Sequence, residues 1–361
     1  MNRFSIIALL ITALLVTACC KNKTATHANE DKPGSNLEPA QTNLNFTGST
    51  LKDNYVWGGA MNMAWNELLD SFVKEKLSLD TNDEQTRITL DKLNNPVFSK
   101  RDMDAESYYI KSGYGQATVD AINKECRAKF PNKSIANLQL KLGARDIISY
   151  AYFLKEIEYQ LAFARNTLKF GDKEVQGFTA DGNTYSNIYI LEYKNRDNFL
   201  IGIKLKDEKD QIFLGKGYPM DNPDEAVKKL RELAPPQTDG DYTLGRPMNK
   251  KDVFRAPSIS MEHTREYKEM LGHRVTNKAL KNYVIGFMQE VLKFDMDERG
   301  ARVENEALIG MVTSVGPTPD PYKPKELILD KPYWIMMKRS NSTNPYFLLG
   351  VNNTSFMKVI N

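Results

Sequence analysis

The spacing of hydrophobic and polar residues predicts regular elements along most of the chain. In Asn54–Lys76, a short apolar run at Tyr55–Trp57 leads into apolar residues at three- and four-residue spacing, which predicts a strand followed by a helix. Thr118–Phe130 has one apolar face and stops at Pro131, as an amphipathic helix does. Residues 80–107 are polar and show no strong period.

Apolar runs and alternating segments predict strands, and terminal residues predict two more helices. The strand segments are 146–154, 185–193, 198–205, 333–337 and 345–351. One helix is predicted from Pro223 to Leu233, and another over Thr264–Leu271, closed by Gly272. No repeat and no clear linker divides the chain after Asn54, so the mixture predicts one α+β domain.

The segment around Gly300 combines a strand pattern with an exposed return. Val291–Gly300 alternates like a strand, and beyond the glycine small or apolar residues continue at every second position, with mainly charged residues between them. The small or apolar face, with one amide, begins with Ala301, Val303, Asn305, Ala307 and Ile309. The proline-rich stretch 316–324 follows and cannot lie inside a sheet. The pattern indicates an exposed loop that is able to become a strand.

The first residues are typical of an export signal. An apolar run from Ser5 to Val16 follows the single charge of Arg3 and is too short to span a bilayer comfortably. It ends in a small-residue stretch before Cys19, which resembles the lipobox of bacterial lipoproteins, where the cysteine thiol receives lipid. The alternatives are an ordinary secretory signal cleaved nearby, or a signal anchor. With each of them we expect the chain to leave the cytoplasm.

These features divide the chain into three predicted parts. Residues 1–18 are a signal peptide of the lipoprotein type, 19–52 are a polar flexible tether, and 53–361 are the folded domain. After the signal no apolar stretch is long enough to cross a membrane, so we expect membrane attachment only through the N-terminal lipid.

Composition narrows the classes of function. The chain has 361 residues, with 49 Lys and Arg against 46 Asp and Glu, and this net charge of +3 argues against a nucleic-acid partner. A hydrophobic content of 41% excludes a disordered chain and allows a large core. Three cysteines cannot form a disulfide framework, and Cys126 lies in a helical pattern where we expect a packed residue.

The sequence carries none of the common catalytic or metal-binding motifs. It lacks a Cys-x-x-Cys pair, His-Glu-x-x-His, a glycine-rich phosphate loop and Gly-x-Ser-x-Gly. His263 and His273 have no third ligand at a suggestive spacing, so packed or surface histidines are favoured. The acidic cluster of Asp295, Asp297 and Glu298 lacks a calcium-loop pattern, which favours a solvated strand edge. We predict no metal, no cofactor and no catalytic residue.

Stretches in the C-terminal third carry patterns of one known family. Phe287–Gly300 is a strand pattern that ends in acidic-Glu-x-Gly, and Val253–Glu262 with Glu269–Gly272 approximates Pro-x-Phe-x-Ile-Glu and Leu-Gly. Lys325–Met337 and Asn344–Asn352 give Pro-aromatic-apolar and then Leu/Phe-x-Gly-x-Val-x-Asn. These stretches resemble the serpins, which are protease inhibitors that trap a target by inserting a cleaved loop into their own sheet. Weaker likeness extends over 54–57, 121–123, 148–155 and 189–205.

The resemblance implies a fold and a reactive loop. The fold would be a single serpin-like α+β domain with a large central sheet, additional sheets, surrounding helices and an exposed loop. The reactive bond would lie between Ser314 and Val315, within two residues, in a loop spanning 301–316. The implied loop hinge comprises Glu298, Gly300, Ala301, Val303, Asn305 and Ala307.

The chain also departs from the serpin pattern. Gly58-Gly59-Ala60-Met61 stands where serpins have Ser-Pro-x-Ser, and Glu290 stands where a histidine is expected. The hinge is not alanine-rich, and the first half of the domain is shorter than usual, so elements there are expected to be trimmed.

Two functions remain open from the sequence. The first is a suicide-substrate inhibitor of a serine or cysteine endopeptidase. Because no Arg or Lys lies near Ser314, an elastase-, chymotrypsin- or subtilisin-like enzyme or a cysteine protease is favoured over a trypsin-like one. The second is a non-inhibitory serpin-fold surface or binding protein whose loop is cut as an ordinary substrate. For both we expect an exported monomer, either anchored by lipid at the periplasmic or cell surface or secreted.

Overall fold

The structure is a computed structural model that describes residues 44–237, 244–300 and 322–360. These residues belong to one compact unit, Asn43–Asn361. The predicted signal peptide, Cys19 and most of the predicted tether lie outside the described residues, as does the loop 301–316.

The described residues form sixteen strands and four α-helices. The strands in the first half are β1 Ser49–Leu51, β2 Asn54–Gly58, β3 Tyr108–Tyr114, β4 Ile147–Phe153, β5 Ala164–Phe170, β6 Lys173–Thr179, β7 Ile188–Asn195 and β8 Asn198–Ile203. Those in the second half are β9 Asp210–Lys216, β10 Arg246–Pro247, β11 Val253–Pro257, β12 Ile259–Glu266, β13 Gln289–Met296, β14 Glu326–Ile328, β15 Tyr333–Arg339 and β16 Pro345–Val351. The helices are α1 Ala60–Leu68, α2 Glu84–Asn94, α3 Gly115–Lys129 and α4 Asp224–Leu233.

One eight-stranded antiparallel sheet forms the centre of the molecule. Its order is β1-β2-β16-β15-β9-β8-β7-β10. A second sheet, β14-β11-β6-β5, has four strands, and the pairs β3-β4 and β12-β13 form two further sheets. The predicted α+β class, with a large sheet, additional sheets and helices packed around them, is confirmed.

The core lies around β15 and β16. Their residues are almost entirely buried, because both strands lie inside the large sheet with apolar side chains on both faces. The indole N–H of Trp334 donates a hydrogen bond to the Pro219 carbonyl at 2.8 Å, so this large side chain is buried without an orphaned donor.

Most of the predicted elements occur, with three differences. Residues 44–52 belong to the folded body rather than to the tether, since Leu44 and Phe46 are buried and β1 pairs with β2. The polar stretch 80–107 contains α2, whose first turn is capped by the Asp83 carboxylate. The helix predicted over Thr264–Leu271 is wrong, because β12 continues to Glu266 and only a 3₁₀ turn follows.

Candidate functional site

Two strands from different small sheets, β4 and β13, lie over α1. β4 is paired with β3 and β13 with β12, and among the described residues neither β4 nor β13 has a strand on its other edge. α1 packs under β3, β4 and β13. We call the space between β4 and β13 the slot.

Contacts below and along the slot bring its two walls together. Below it, the Tyr283 hydroxyl donates to the Arg145 carbonyl at 2.9 Å, which joins the segments that precede β13 and β4. Gly58 lies against both walls, because a Cβ on it would meet Leu292 of β13 at 2.3 Å and Phe153 of β4 at 3.7 Å. A side chain at position 58 would require the Leu292 side chain to shift.

The upper end of the slot holds a tight turn, Asp297–Gly300, which we call the hinge turn. The Asp297 N–H donates to the Gly300 carbonyl at 3.2 Å, so the chain reverses direction directly after β13. Gly300 also forms an antiparallel bridge with Glu158, in the segment that follows β4. Gly300 therefore lies between Asp297, which follows β13, and Glu158, which follows β4, in the position that a third strand would take. A strand continuing in that direction would run down the slot, antiparallel to both walls.

Backbone hydrogen bonds fix the hinge turn to the segment after β4. The Tyr159 N–H donates to the Arg299 carbonyl at 3.1 Å, and the Phe163 N–H donates to the Glu298 carbonyl at 2.8 Å. The Asp297 carboxylate accepts from the Arg299 N–H at 2.8 Å, which stabilises the reversal from within.

Gly300 is required by its backbone and its surroundings. Its φ is +118°, a conformation that residues with a side chain rarely adopt. A Cβ there would lie 2.5 Å from the Ile157 carbonyl oxygen and 2.9 Å from the Glu158 Cα. A residue with a side chain at position 300 would therefore strain this turn and press against the neighbouring backbone.

Glu298 anchors the side of the hinge turn. Its carboxylate accepts from the Arg165 Nε at 2.7 Å, and the Arg299 Nε lies 3.5 Å away. Burial acts to raise the pKa of Glu298, but the bond from Arg165 and the two positive charges outweigh it and bring the pKa below its ordinary value. The ionised form is thus favoured in the folded state.

The floor of the slot is apolar with one polar link. Phe294 of β13 stacks on Phe347 of the large sheet at 4.6 Å between ring centroids, and Phe153 of β4 packs edge-on against Tyr346. The Ser149 hydroxyl of β4 donates to a carbonyl of α1 at 2.6 Å. An added strand would therefore place its inward side chains on a mostly hydrophobic surface.

The inward face of β13 also carries a buried carboxyl group, that of Glu290. Its oxygens accept from the Met61 N–H at 3.3 Å and from the Tyr267 hydroxyl at 3.2 Å. Burial raises its pKa to about 7, although both hydrogen bonds and the charge of Arg265 act to lower it. Sequence comparison marked Glu290 only as a departure from the serpin pattern; its burial follows from the alternation along β13, which turns it inward.

The predicted site residues divide into two groups. Glu298 and Gly300 lie in the hinge turn at the top of the slot. The others lie outside the described residues: Cys19, Ala301, Val303, Asn305, Ala307, Ser314 and Val315.

The other candidate residues have local structural partners. His263 lies 3.0 Å from the Ser49 hydroxyl, and His273 lies 3.2 Å from that of Thr86. Cys126 is buried in the core under α3, as the sequence predicts. Within the part of the chain that the structure describes, no three His, Cys, Asp or Glu residues are grouped to hold a metal ion.

Solved structures similar to this chain include serpins, at low identity. Serpin48 from the insect Tenebrio molitor is 13% identical, with 82% of this chain and 91% of that one covered, at a TM-score of 0.47. Thyroxine-binding globulin in complex with thyroxine is 9% identical, with 83% and 92% covered, at 0.46. Human glycosylated kallistatin is 12% identical, with 66% and 64% covered, at 0.37. At TM-scores below 0.5, these likenesses carry no argument about activity.

No family model and no curated protein matches the sequence. In the described ranges, every helix is too short or too polar to cross a membrane.

Proposed function

We propose that this protein is a serpin-like protease inhibitor that acts as a suicide substrate. A serine or cysteine endopeptidase cuts the loop near Ser314, and the freed strand that begins at Gly300 enters the slot. The observation that carries the proposal is the place of Gly300, which bridges to Asp297 on one side and to Glu158 on the other. Under this proposal, Gly300 would be the first residue of the inserted strand.

The bridge also implies a register for the proposed inserted strand. Antiparallel pairing that starts from Gly300 and Asp297 sets each later residue opposite an earlier one of β13. The inward pairs of the proposed inserted strand would be Ala301 with Met296, Val303 with Phe294, Asn305 with Leu292, and Ala307 with Glu290. All four β13 partners are buried, so the alternation in the loop matches the alternation in the wall.

The outward positions of the loop and of β13 carry opposite charges. In the same proposed register, Arg302 would lie opposite Asp295, and Glu304 would lie opposite Lys293. Opposite charges that face each other across antiparallel strands stabilise the pairing. Asp295 and Lys293 alternate with the buried residues of β13 and are exposed, and Lys293 also pairs with Glu262 of the neighbouring strand β12 at 2.9 Å. This complementarity supports insertion over an accidental resemblance of patterns.

The chain beyond the reactive bond is held independently of the loop. β14 pairs with β11, and β15 and β16 lie inside the large sheet. The buried ammonium of Lys216 donates to the Ile328 carbonyl at 2.9 Å and pairs with the Asp330 carboxylate. Cleavage near Ser314 therefore frees the strand on one side of the cut while the other side stays in the body.

The protease is trapped only if the loop inserts faster than water hydrolyses the acyl-enzyme. The protease nucleophile attacks the carbonyl carbon of residue 314, the peptide bond breaks, the new amine leaves with a proton, and an acyl-enzyme remains. Insertion at this stage carries the acylated protease away from its productive geometry. If insertion is slower than attack by water, the protein is the alternative, a non-inhibitory surface protein that is only a substrate.

The test is a covalent complex. We expect an elastase-, chymotrypsin- or subtilisin-like protease or a cysteine protease to form an adduct with the full chain that survives SDS. A trypsin-like protease should form none, because no basic residue lies near Ser314. Cleavage near Ser314 by any of the favoured proteases, without an adduct from any of them, would contradict inhibition.

We also propose that the protein is exported and anchored through lipid on Cys19. The apolar run that ends in small residues before this cysteine supports the assignment. In a bacterial host, the full chain should incorporate labelled palmitate and the Cys19→Ser variant should not. Equal labelling of both would contradict the anchor, and export without labelling would favour the secreted form.

A further inference from the structure

The carboxyl group of Glu290 lies at the junction between the slot wall β13 and the helix beneath it. The four inward side chains of β13 are Glu290, Leu292, Phe294 and Met296, and only the first is ionisable. Glu290 is 6% exposed. A charged group buried among apolar side chains lowers stability unless hydrogen bonds or an opposite charge compensate for its lost hydration.

Glu290 caps α1 from another element. Gly59 precedes the helix and offers no side chain, and the first turn of α1 contains no acidic residue. The Met61 N–H, in that first turn, instead donates to the Glu290 carboxyl at 3.3 Å. The contact ties β13 to the start of α1.

The other wall is tied to the same helix by a neutral contact. The Ser149 hydroxyl of β4 donates to the Ala64 carbonyl of α1 at 2.6 Å. The walls are thus joined through α1, with a carboxyl link to β13 and a hydroxyl link to β4. Widening the slot by moving β13 away from β4 breaks the Glu290 link or the Ser149 link, and only the first can respond to pH near neutrality.

The groups that face Glu290 leave its charge largely uncompensated. Arg265 lies opposite it on β12, but its guanidinium stacks on the Tyr267 ring at 3.9 Å and pairs with Glu269 at 3.2 Å. The Tyr267 hydroxyl donates a hydrogen bond to the Glu290 carboxyl group at 3.2 Å, and burial raises the pKa of Tyr267 well above its ordinary value. His263, the next inward position of β12, has its pKa lowered by burial and by Arg265.

We propose that Glu290 is a proton-controlled latch on the slot, which holds β13 against α1 while the carboxyl group is protonated and releases it when the proton is lost. The latch regulates the strand insertion proposed above and therefore rests on that function. In the described structure, where β13 is in contact with α1, burial disfavours the carboxylate of Glu290 and raises its pKa to about 7. When β13 moves away from α1, water reaches the Glu290 carboxyl group and the desolvation cost of the carboxylate disappears. Loss of the proton therefore shifts the equilibrium toward the state in which β13 has moved away.

The test measures insertion without a protease. A synthetic peptide with the sequence of residues 301–313 is added to the full chain, and its rate of insertion is followed by the gain in thermal stability. Between pH 6 and pH 8 we expect the rate to rise about tenfold, because the open and closed forms differ in proton affinity. Glu290→Gln, which mimics the protonated group, should insert slowly at both pH values.

The His263→Gln control and hydrogen exchange of the Met61 amide distinguish failure of the latch from failure of strand insertion. His263→Gln should keep the pH dependence, since burial and the charge of Arg265 lower the pKa of His263 from its ordinary value. Insertion at a pH-independent rate in the natural chain, or an unchanged pH dependence in Glu290→Gln, would overturn the latch and leave insertion standing. No insertion in any chain at any pH would overturn the insertion mechanism and the latch with it. If Glu290→Gln does not fold, hydrogen exchange of the Met61 amide, corrected for its intrinsic rate, should report faster opening at pH 8 than at pH 6; equal corrected rates would overturn the latch.

Discussion

Glu158 and Gly300 form an antiparallel bridge that joins the segment after β4 to the hinge turn after β13. The two walls of the slot are thus connected at their upper end by the residue from which the loop departs. An inserted strand would grow from this bridge downward, one residue pair at a time. Its first pairs lie nearest the turn, so changes at the turn should act earliest on insertion.

Gly300→Ala should destabilise the hinge turn. The new Cβ would meet the Ile157 carbonyl at 2.5 Å in a backbone with φ of +118°, and strain of this kind costs about 1–3 kcal/mol. Denaturant unfolding measures the loss. Gly286→Ala is the matched control, because no atom lies within 4 Å of its Cβ position, and it should change stability by less than about 0.5 kcal/mol. Equal losses in both variants would contradict the tight turn.

Ala301→Arg should convert an inhibitor into a substrate. Position 301 is the first inward position after the bridge, and insertion would bury the guanidinium opposite Met296 on the apolar floor. Glu306→Arg introduces the same side chain at an outward position and should keep inhibition. The stoichiometry of inhibition, measured with a protease that forms the adduct, separates the two variants. Equal loss of inhibition in both would show that the register is misplaced.

Charge reversal across the slot tests the register itself. Lys293→Glu places two acidic groups opposite each other in the inserted state, and Glu304→Lys in the same chain restores the attraction. We expect a coupling free energy of about 0.5 kcal/mol in the cleaved protein and none in the uncleaved one, from unfolding of the four chains of the cycle. Coupling of the same size before cleavage would contradict insertion as its source.

The stability of the uncleaved protein should depend on pH through Glu290. The folded pKa of about 7 lies above the ordinary value of 4.5, so the folded state binds the proton more tightly. The stabilisation is complete below the unfolded pKa and is lost as pH rises through 7, by about 3 kcal/mol in total. The difference between the natural chain and Glu290→Gln, measured from pH 5 to pH 8, isolates this effect. A constant difference would contradict the buried titration.

Local pattern predicted the elements whose burial is periodic. The alternation of β13 and the apolar runs of β15 and β16 each fix strand and buried face from a few neighbouring residues. The same alternation, continued past Gly300, gave the inward set of the loop. These predictions needed no knowledge of which strand pairs with which.

The missed features depend on residues far apart in the chain. α2 is held by its Asp83 cap and by Thr89, whose hydroxyl donates to the Glu269 carboxylate at 3.0 Å, so its polar sequence shows little period. Residues 49–51 form a strand only because β2 lies beside them. Residues 264–266 have helical spacing but are extended by their ladder to β13. The slot likewise lies between two two-stranded sheets that do not pair with each other among the described residues, which no local pattern records.

The most direct test of strand insertion is the thermal unfolding midpoint before and after a single cut near Ser314. Insertion converts two open strand edges into a fully bonded sheet and buries apolar residues on its floor, so both hydrogen bonding and burial increase. We predict that the midpoint of the cut chain rises by tens of degrees, since a few kcal/mol already shifts a domain of this size by several degrees. A midpoint that is unchanged, lower, or higher by only a few degrees would contradict insertion of the loop into the slot.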